Sequence, residues 1–217
     1  MTVLIVNNDP EFYTGKLLRD FLDSVEKNSR DNVEVAPFTD ISRYSHKIDN
    51  YNAVILSGSS KDSHSLAKES EKRSRPFQDE IGLIKTCRIP ILAICFGHEL
   101  VAHAFGSGIG QFDQYVRGFQ NVEIIKRDKL FSDWKEGDVI VVQEYHTDYL
   151  TELPTGFICL ARSKRCSVEA MRHTSRPIYT AQFHPERSLE QETGLTFPDG
   201  GRVLRNFFDN VCRIGAV

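Results

Sequence analysis

Apolar residues along the chain fall into two kinds of pattern. Short apolar runs at residues 3–6, 53–56 and 89–94, and a weaker one at 33–36, read as strands. Between them, Phe12, Leu17, Leu18, Phe21, Leu22 and Val25 recur at near-helical spacing, and Phe77, Ile81 and Ile84 share one face of a helix expected over residues 77–86. Strands apolar on both faces, alternating with helices, predict a parallel sheet covered on both sides. After about residue 120 the pattern changes. Residues 121–125, 139–143, 157–161, 167–171 and 178–183 read as strands with little helix between them, which predicts added antiparallel or mixed strands. Val203, Leu204, Phe207, Phe208 and Val211 keep helical spacing and predict a closing helix near residues 201–211.

Composition narrows the classes without choosing among them. The 217 residues suffice for one sizeable domain, expected over residues 1–217. A net charge of -3 gives no basic footprint for nucleic acid. The first ten residues lack the pattern of a signal peptide, and no run approaches a membrane span. Five cysteines (Cys87, Cys95, Cys159, Cys166 and Cys212), odd in number and without C-x-x-C pairs, are expected to be reduced thiols of a cytoplasmic protein, with no metal and no cofactor. Residues 61–80 carry ten charges in twenty positions, which suits a solvated loop running into a helix or a mobile flap beside a site. Repeats and low-complexity linkers are absent.

One stretch carries chemistry. In "ILAICFGHEL" an apolar run ends at Cys95 and a helical pattern follows at once, with Leu100, Val101, Ala104 and Phe105 facing inward. Small residues, Ala93 and Gly97, flank the cysteine at minus two and plus two, the spacing of a nucleophile elbow. The helix N-terminus is expected to lower the thiol pKa, and the Phe96 backbone N–H is a candidate oxyanion donor. A cysteine packed in a core is the plain alternative.

A thiol nucleophile needs a base, and the base an orienter. Of seven histidines (His46, His64, His98, His103, His146, His173 and His184), His184 stands out in "AQFHPE". The preceding strand is expected to carry it to a sheet edge, where Pro185 stops the ladder. In extended chain Glu186 would point to the same side as His184 and hold its tautomer.

"ICFGHEL" followed by "AQFHPE" resembles the class I, triad-type glutamine amidotransferases. The likeness spans nearly the whole chain: "VLIVNNDPEF" is similar to the family's first strand and turn, "YNAVILSGSS" to its oxyanion strand, "EYHTDYL" to its substrate-side histidine segment and "GGRVLRNFFDN" to its closing helix. The resemblance implies a doubly wound, mostly parallel, flavodoxin-like three-layer α/β fold. It implies hydrolysis of a γ-carboxamide through a γ-glutamyl thioester, with Cys95 as nucleophile, His184 as base and acid, and Glu186 as orienter. The oxyanion hole would use the N–H of Phe96 and one from the loop of Ser57, Gly58 and Ser59. Tyr145 and His146 would lie near the α-amino and α-carboxylate end of the substrate, through backbone contacts; a structural turn histidine is the other reading of His146.

Two departures from that family matter. A glutamine usual four residues after the nucleophile is here Glu99, which would add negative charge, favour an α-ammonium group or admit a different γ-glutamyl compound. The loop reads S-G-S rather than G-G or P-G, which resembles free-standing members, including γ-glutamyl peptidases, more than nucleotide- or tryptophan-pathway subunits; over the whole chain the resemblance is to free-standing members, both GMP-synthase-glutaminase-like and γ-glutamyl-peptidase-like. The chain leaves no space for an ammonia-using synthetase domain, so either a separate subunit receives ammonia or the protein hydrolyses γ-glutamyl bonds by itself. A non-catalytic interaction or sensor module on the same fold, and a different cysteine hydrolase or redox thiol protein, complete the alternatives.

Overall fold

A computed structural model describes residues 2–61, 65–67, 70–190 and 193–213. Its framework is a nine-stranded sheet of order β2-β1-β3-β4-β9-β8-β7-β5-β6. The strands β1 (Thr2–Asn7), β2 (Asn32–Pro37), β3 (Ala53–Leu56), β4 (Ile91–Ile94) and β9 (Ile178–Ala181) run parallel. The strands β5 (Ile109–Ile124), β6 (Val139–Leu150), β7 (Phe157–Arg162) and β8 (Ala170–His173) join by antiparallel pairing. Doubly wound parallel strands with an antiparallel extension from the C-terminal half are the expected architecture.

Two-residue periodicity sorts the buried strands into two layers. Val3, Ile5, Ala53, Ile55, Leu92 and Ile94 pack with α1 (Gly15–Ser29) and α5 (Asp199–Asn206). Leu4, Val6, Val54, Leu56, Ile91 and Ala93 pack with α3 (Gln78–Thr86) and α4 (Phe96–Ala104) on the opposite face. A short helix, α2 (Ser70–Ser74), precedes α3. Because both faces of the inner parallel strands are covered, the site lies at their ends.

The structure departs from the sequence reading where polar residues break the apolar runs. β5 begins at Ile109, well before the expected residue 121, and β6 continues to Leu150. Their added lengths pair with each other across a bulge between Gln111 and Val116, and half-exposed polar side chains hide the strand pattern. Phe38–Asn50 forms a chain of 3-10 turns, anchored by buried Ile41 and Ile48, where no element was expected. The strand expected at 167–171 forms slightly later, as β8. Beyond α5 the closing helix widens into π-type turns over Phe207–Cys212.

Candidate active site

The elbow is visible in the backbone. Cys95 has φ 52° and ψ −108°, a conformation that L-residues seldom adopt and that persists only where the surroundings enforce it. Its N–H donates to Ala181 O at 2.8 Å, and its carbonyl accepts from Glu99 N at 3.1 Å. β9 and α4 thus hold it from two sides. Gly97 is required by space: a Cβ there would lie 2.8 Å from the Leu56 carbonyl oxygen.

His184 lies just past the C-terminal end of β9. That strand is internal, between β4 and β8, so the histidine is at the rim of the sheet rather than on an edge strand. Its N–H donates to Gln143 O at 2.8 Å. The helix α5 packs against the following turn so closely that a Cβ on Gly200 would lie 2.7 Å from Pro185 O. His184 Nδ1 and Glu186 Oε1 are 2.7 Å apart. The pair forms across a turn, with Arg187 N donating to His184 O at 3.2 Å, and not in extended chain as the sequence reading had it. Gly58 sits where the two halves meet. A Cβ there would stand 3.1 Å from His184 Cε1, 3.3 Å from Cys95 Cβ and 3.4 Å from the Tyr13 hydroxyl.

Charge in this pocket differs from the sequence expectation. Burial raises the Cys95 thiol well above its ordinary pKa; Glu99, Glu144 and Glu186 add to the effect and only Arg187 opposes it. The helix N-terminus therefore does not leave a resting thiolate, because the sulfur is out of water and among carboxyl groups. Glu99 is likewise raised well above the carboxylate range, by burial and then by Asp148, against a single offsetting hydrogen bond from Gln182 Nε2 at 3.1 Å. Its carboxyl group is thus shifted toward the neutral acid, where the sequence reading gave it a negative charge. Glu186 behaves oppositely. Burial works against its ionisation, but the His184 charge and hydrogen bond, with Arg187 behind, hold its pKa below the ordinary value. His184 is lowered, first by burial and then by Arg187, and so is a neutral base at rest.

A small cleft opens beside the sulfur, lined by Cys95, Phe96, Glu99, Tyr145 and His146 among others. The Tyr145 carbonyl accepts from the Cys95 thiol at 3.8 Å, while its ring is 43% exposed at the mouth. His146 is buried; Nδ1 meets Asp148 O at 2.7 Å, and Nε2 approaches Glu144 Oε2 at 3.3 Å without hydrogen-bond geometry. The loop of Ser57, Gly58 and Ser59 borders the sulfur as the sequence suggested. Lys61 and Ser65 of the charged 61–80 segment line the cleft, whereas His64 and residues 62–63 and 68–69 lie outside the described residues. Among the described residues no group of three or more His, Cys, Asp or Glu could hold a metal ion, and no helix is long and apolar enough to cross a membrane.

Sequence reasoning missed Tyr13 and Arg187. Arg187 donates to the Tyr13 hydroxyl at 3.4 Å and approaches Glu186 Oε1 at 3.5 Å. Arg187 directly follows the H-P-E motif and could have been found there; Tyr13 carries no signal, since only the fold brings it to Gly58.

The family described as glutamine amidotransferase class-I matches residues 17–210. The chain is 31% identical over 212 residues to a glutamine-hydrolyzing GMP synthase subunit of Methanosarcina acetivorans, covering 98% of this chain and 97% of that one. It is 39% identical over 119 residues to the protein of the same name from Pyrococcus abyssi, a match that spans 55% of this chain and 58% of that relative. In fold it matches the crystal structure of a candidate GMP synthase subunit from Thermoplasma acidophilum, with TM-score 0.79, 23% identity and coverage of 99% and 95%.

Proposed function

Since the chain belongs to the class-I glutamine amidotransferases, we propose that residues 1–217 act as one amidotransferase domain that hydrolyses glutamine to glutamate and ammonia through a thioester on Cys95. With Nδ1 held by Glu186, Nε2 is the His184 nitrogen left to take the thiol proton. The resting thiol is neutral, so this transfer accompanies attack of sulfur on the γ-carbonyl carbon. The carbonyl oxygen becomes an oxyanion facing the N–H groups of Phe96 and of the loop at Gly58 and Ser59. Collapse breaks the C–N bond, the imidazolium returns its proton to the leaving nitrogen, and ammonia departs. Water, deprotonated by His184, then opens the thioester and restores the thiol.

The observation that carries this reading is Gly58, where one added carbon would touch both His184 and Cys95 while His184 stays bonded to Glu186. Glu99, Tyr145 and His146 line the cleft that would receive the α-amino and α-carboxylate groups. A separate synthetase subunit is the proposed recipient of the ammonia, on the strength of relatives named as subunits. The test is an assay of the isolated chain against glutamine and several γ-glutamyl peptides, with mass spectrometry after exposure to a glutamine-like electrophile. Glutamine hydrolysis and an adduct on Cys95 are expected. Faster turnover of the peptides would make it a stand-alone γ-glutamyl hydrolase; no turnover and no adduct would leave a non-catalytic module.

A further inference from the structure

The loop proposed to supply an oxyanion donor is suspended from a turn at the end of β1. Asn8 N donates to Ser57 Oγ at 2.9 Å, and Ser57 Oγ donates to Gly58 O at 2.9 Å. Asn8 Nδ2 donates to Ser57 O at 3.0 Å, and Asp9 Oδ2 accepts from Ser60 N at 2.9 Å. Behind this turn stands Glu80 of α3, fully buried, whose Oε1 accepts from the same Asn8 Nδ2 at 3.1 Å.

Two oxygens of this pair, Asn8 Oδ1 and Glu80 Oε2, are buried without a partner. Both are acceptors while the carboxyl group is ionised, and an orphaned buried acceptor is costly. A single proton on Oε2 turns one orphan into a donor for the other and closes a two-bond carboxylic acid–carboxamide pair. We infer that Glu80 is a neutral carboxylic acid paired with Asn8, and that this pair is the brace which positions the Ser57–Gly58 loop for oxyanion binding. Glu80 is thus a positioning residue. The loop's role rests on the function proposed above.

The charge balance agrees. Burial pushes Glu80 up to about 8, and the Asn8 hydrogen bond is the one influence that opposes it. The charged groups of neighbouring elements, Asp9 in the turn, Asp40 and Asp49 before β3, Arg75 before α3, and His98 and Glu99 on α4, exert no resolved effect on it. When the proton leaves, the carboxylate repels Asn8 Oδ1. The strain falls on the carboxamide and weakens its hold on the Ser57 carbonyl.

Glu80→Gln tests this, because a glutamine offers an N–H to Oδ1 and a carbonyl to Nδ2 with no proton to lose. From pH 7 to 9.5 we expect wild-type kcat to fall at least fivefold relative to E80Q, with KM changed little. Glu80→Ala, which removes both bonds, should be slow at every pH. Superimposable profiles for wild type and E80Q would overturn the brace. Thermal unfolding serves independently of activity. The unfolded carboxyl ionises near 4.5 and the folded one near 8, so wild type should match E80Q below pH 4.5 and fall behind by roughly 5 °C between pH 5 and 8. Parallel melting curves would overturn the neutral pair. If neither protein hydrolyses glutamine while the melting curves diverge, the proposed activity fails and the pair stands.

Discussion

Two sides of the Cys95 sulfur hold buried carboxyl groups in opposite states. On the β9 side Glu186 stays ionised, because an imidazole and a guanidinium share its Oε1. On the antiparallel side Glu99, Glu144 and Glu169 are pushed toward the neutral acid, Glu144 to about 8. Burial is similar on both sides: Glu186 is 7% exposed, Glu99 4% and Glu144 0%. What differs is a bonded cation. No arginine or lysine pairs with Glu99, Glu144 or Glu169 among the described ion pairs, and His146, beside Glu144, is itself lowered by burial. Desolvation favours the neutral acid, and an adjacent positive charge opposes it more strongly than a single neutral hydrogen bond does. The carboxyl group bonded to His184 thus keeps its charge, while the buried carboxyl groups without a bonded cation shift toward the neutral acid.

The comparison can be broken by substitution, starting with the sulfur common to both sides. Cys95→Ala should reduce glutamine turnover at least ~10⁴-fold with an unchanged circular dichroism spectrum, since it removes one atom at a strand tip. Glu186→Gln removes the charged side alone. A drop in kcat of about 10²–10⁴-fold is expected, and a loss under tenfold would mean that the orienting charge is unnecessary. Glu144→Gln probes the neutral side through stability. The unfolded chain loses this proton near 4.5 and the folded chain near 8, so the group's contribution is full below 4.5 and is lost as pH rises to 8. The variant should melt roughly 5 °C higher than wild type at pH 8.5 and equally at pH 4.5; a lower melting point at pH 8.5 would mean that Glu144 is charged and paired. Glu99→Gln should have the smallest effect. A neutral acid and an amide present similar groups, so glutamine KM at pH 7 should change less than about threefold, and a tenfold improvement would show that Glu99 is charged in the working site.

The candidate site around Cys95 and His184 was legible where the backbone itself imposes residue types. Ala93 and Gly97 are small because the elbow and the Leu56 carbonyl leave no space, and Pro185 and Glu186 follow His184 in one turn. Buried acids were not legible. In "PFQDEIGLI" Glu80 reads as one more charge in a polar stretch, and only the turn of Asn7, Asn8 and Asp9 against α3 makes it an interior group. Tyr13 is likewise tied to the site by a contact spanning 174 residues, to Arg187. The early part of β5 escaped notice because its alternation is polar on the exposed face and broken by a bulge.

The amino-acid order alone determined the parallel strands and the elbow, because local sterics and apolar runs are properties of neighbours in sequence. The protonation of the groups around Cys95 was decided only by the tertiary structure. Whether a carboxyl or thiol keeps its charge depends on which distant side chains exclude water from it and whether one of them is a cation, and neither is encoded within a few residues of the group.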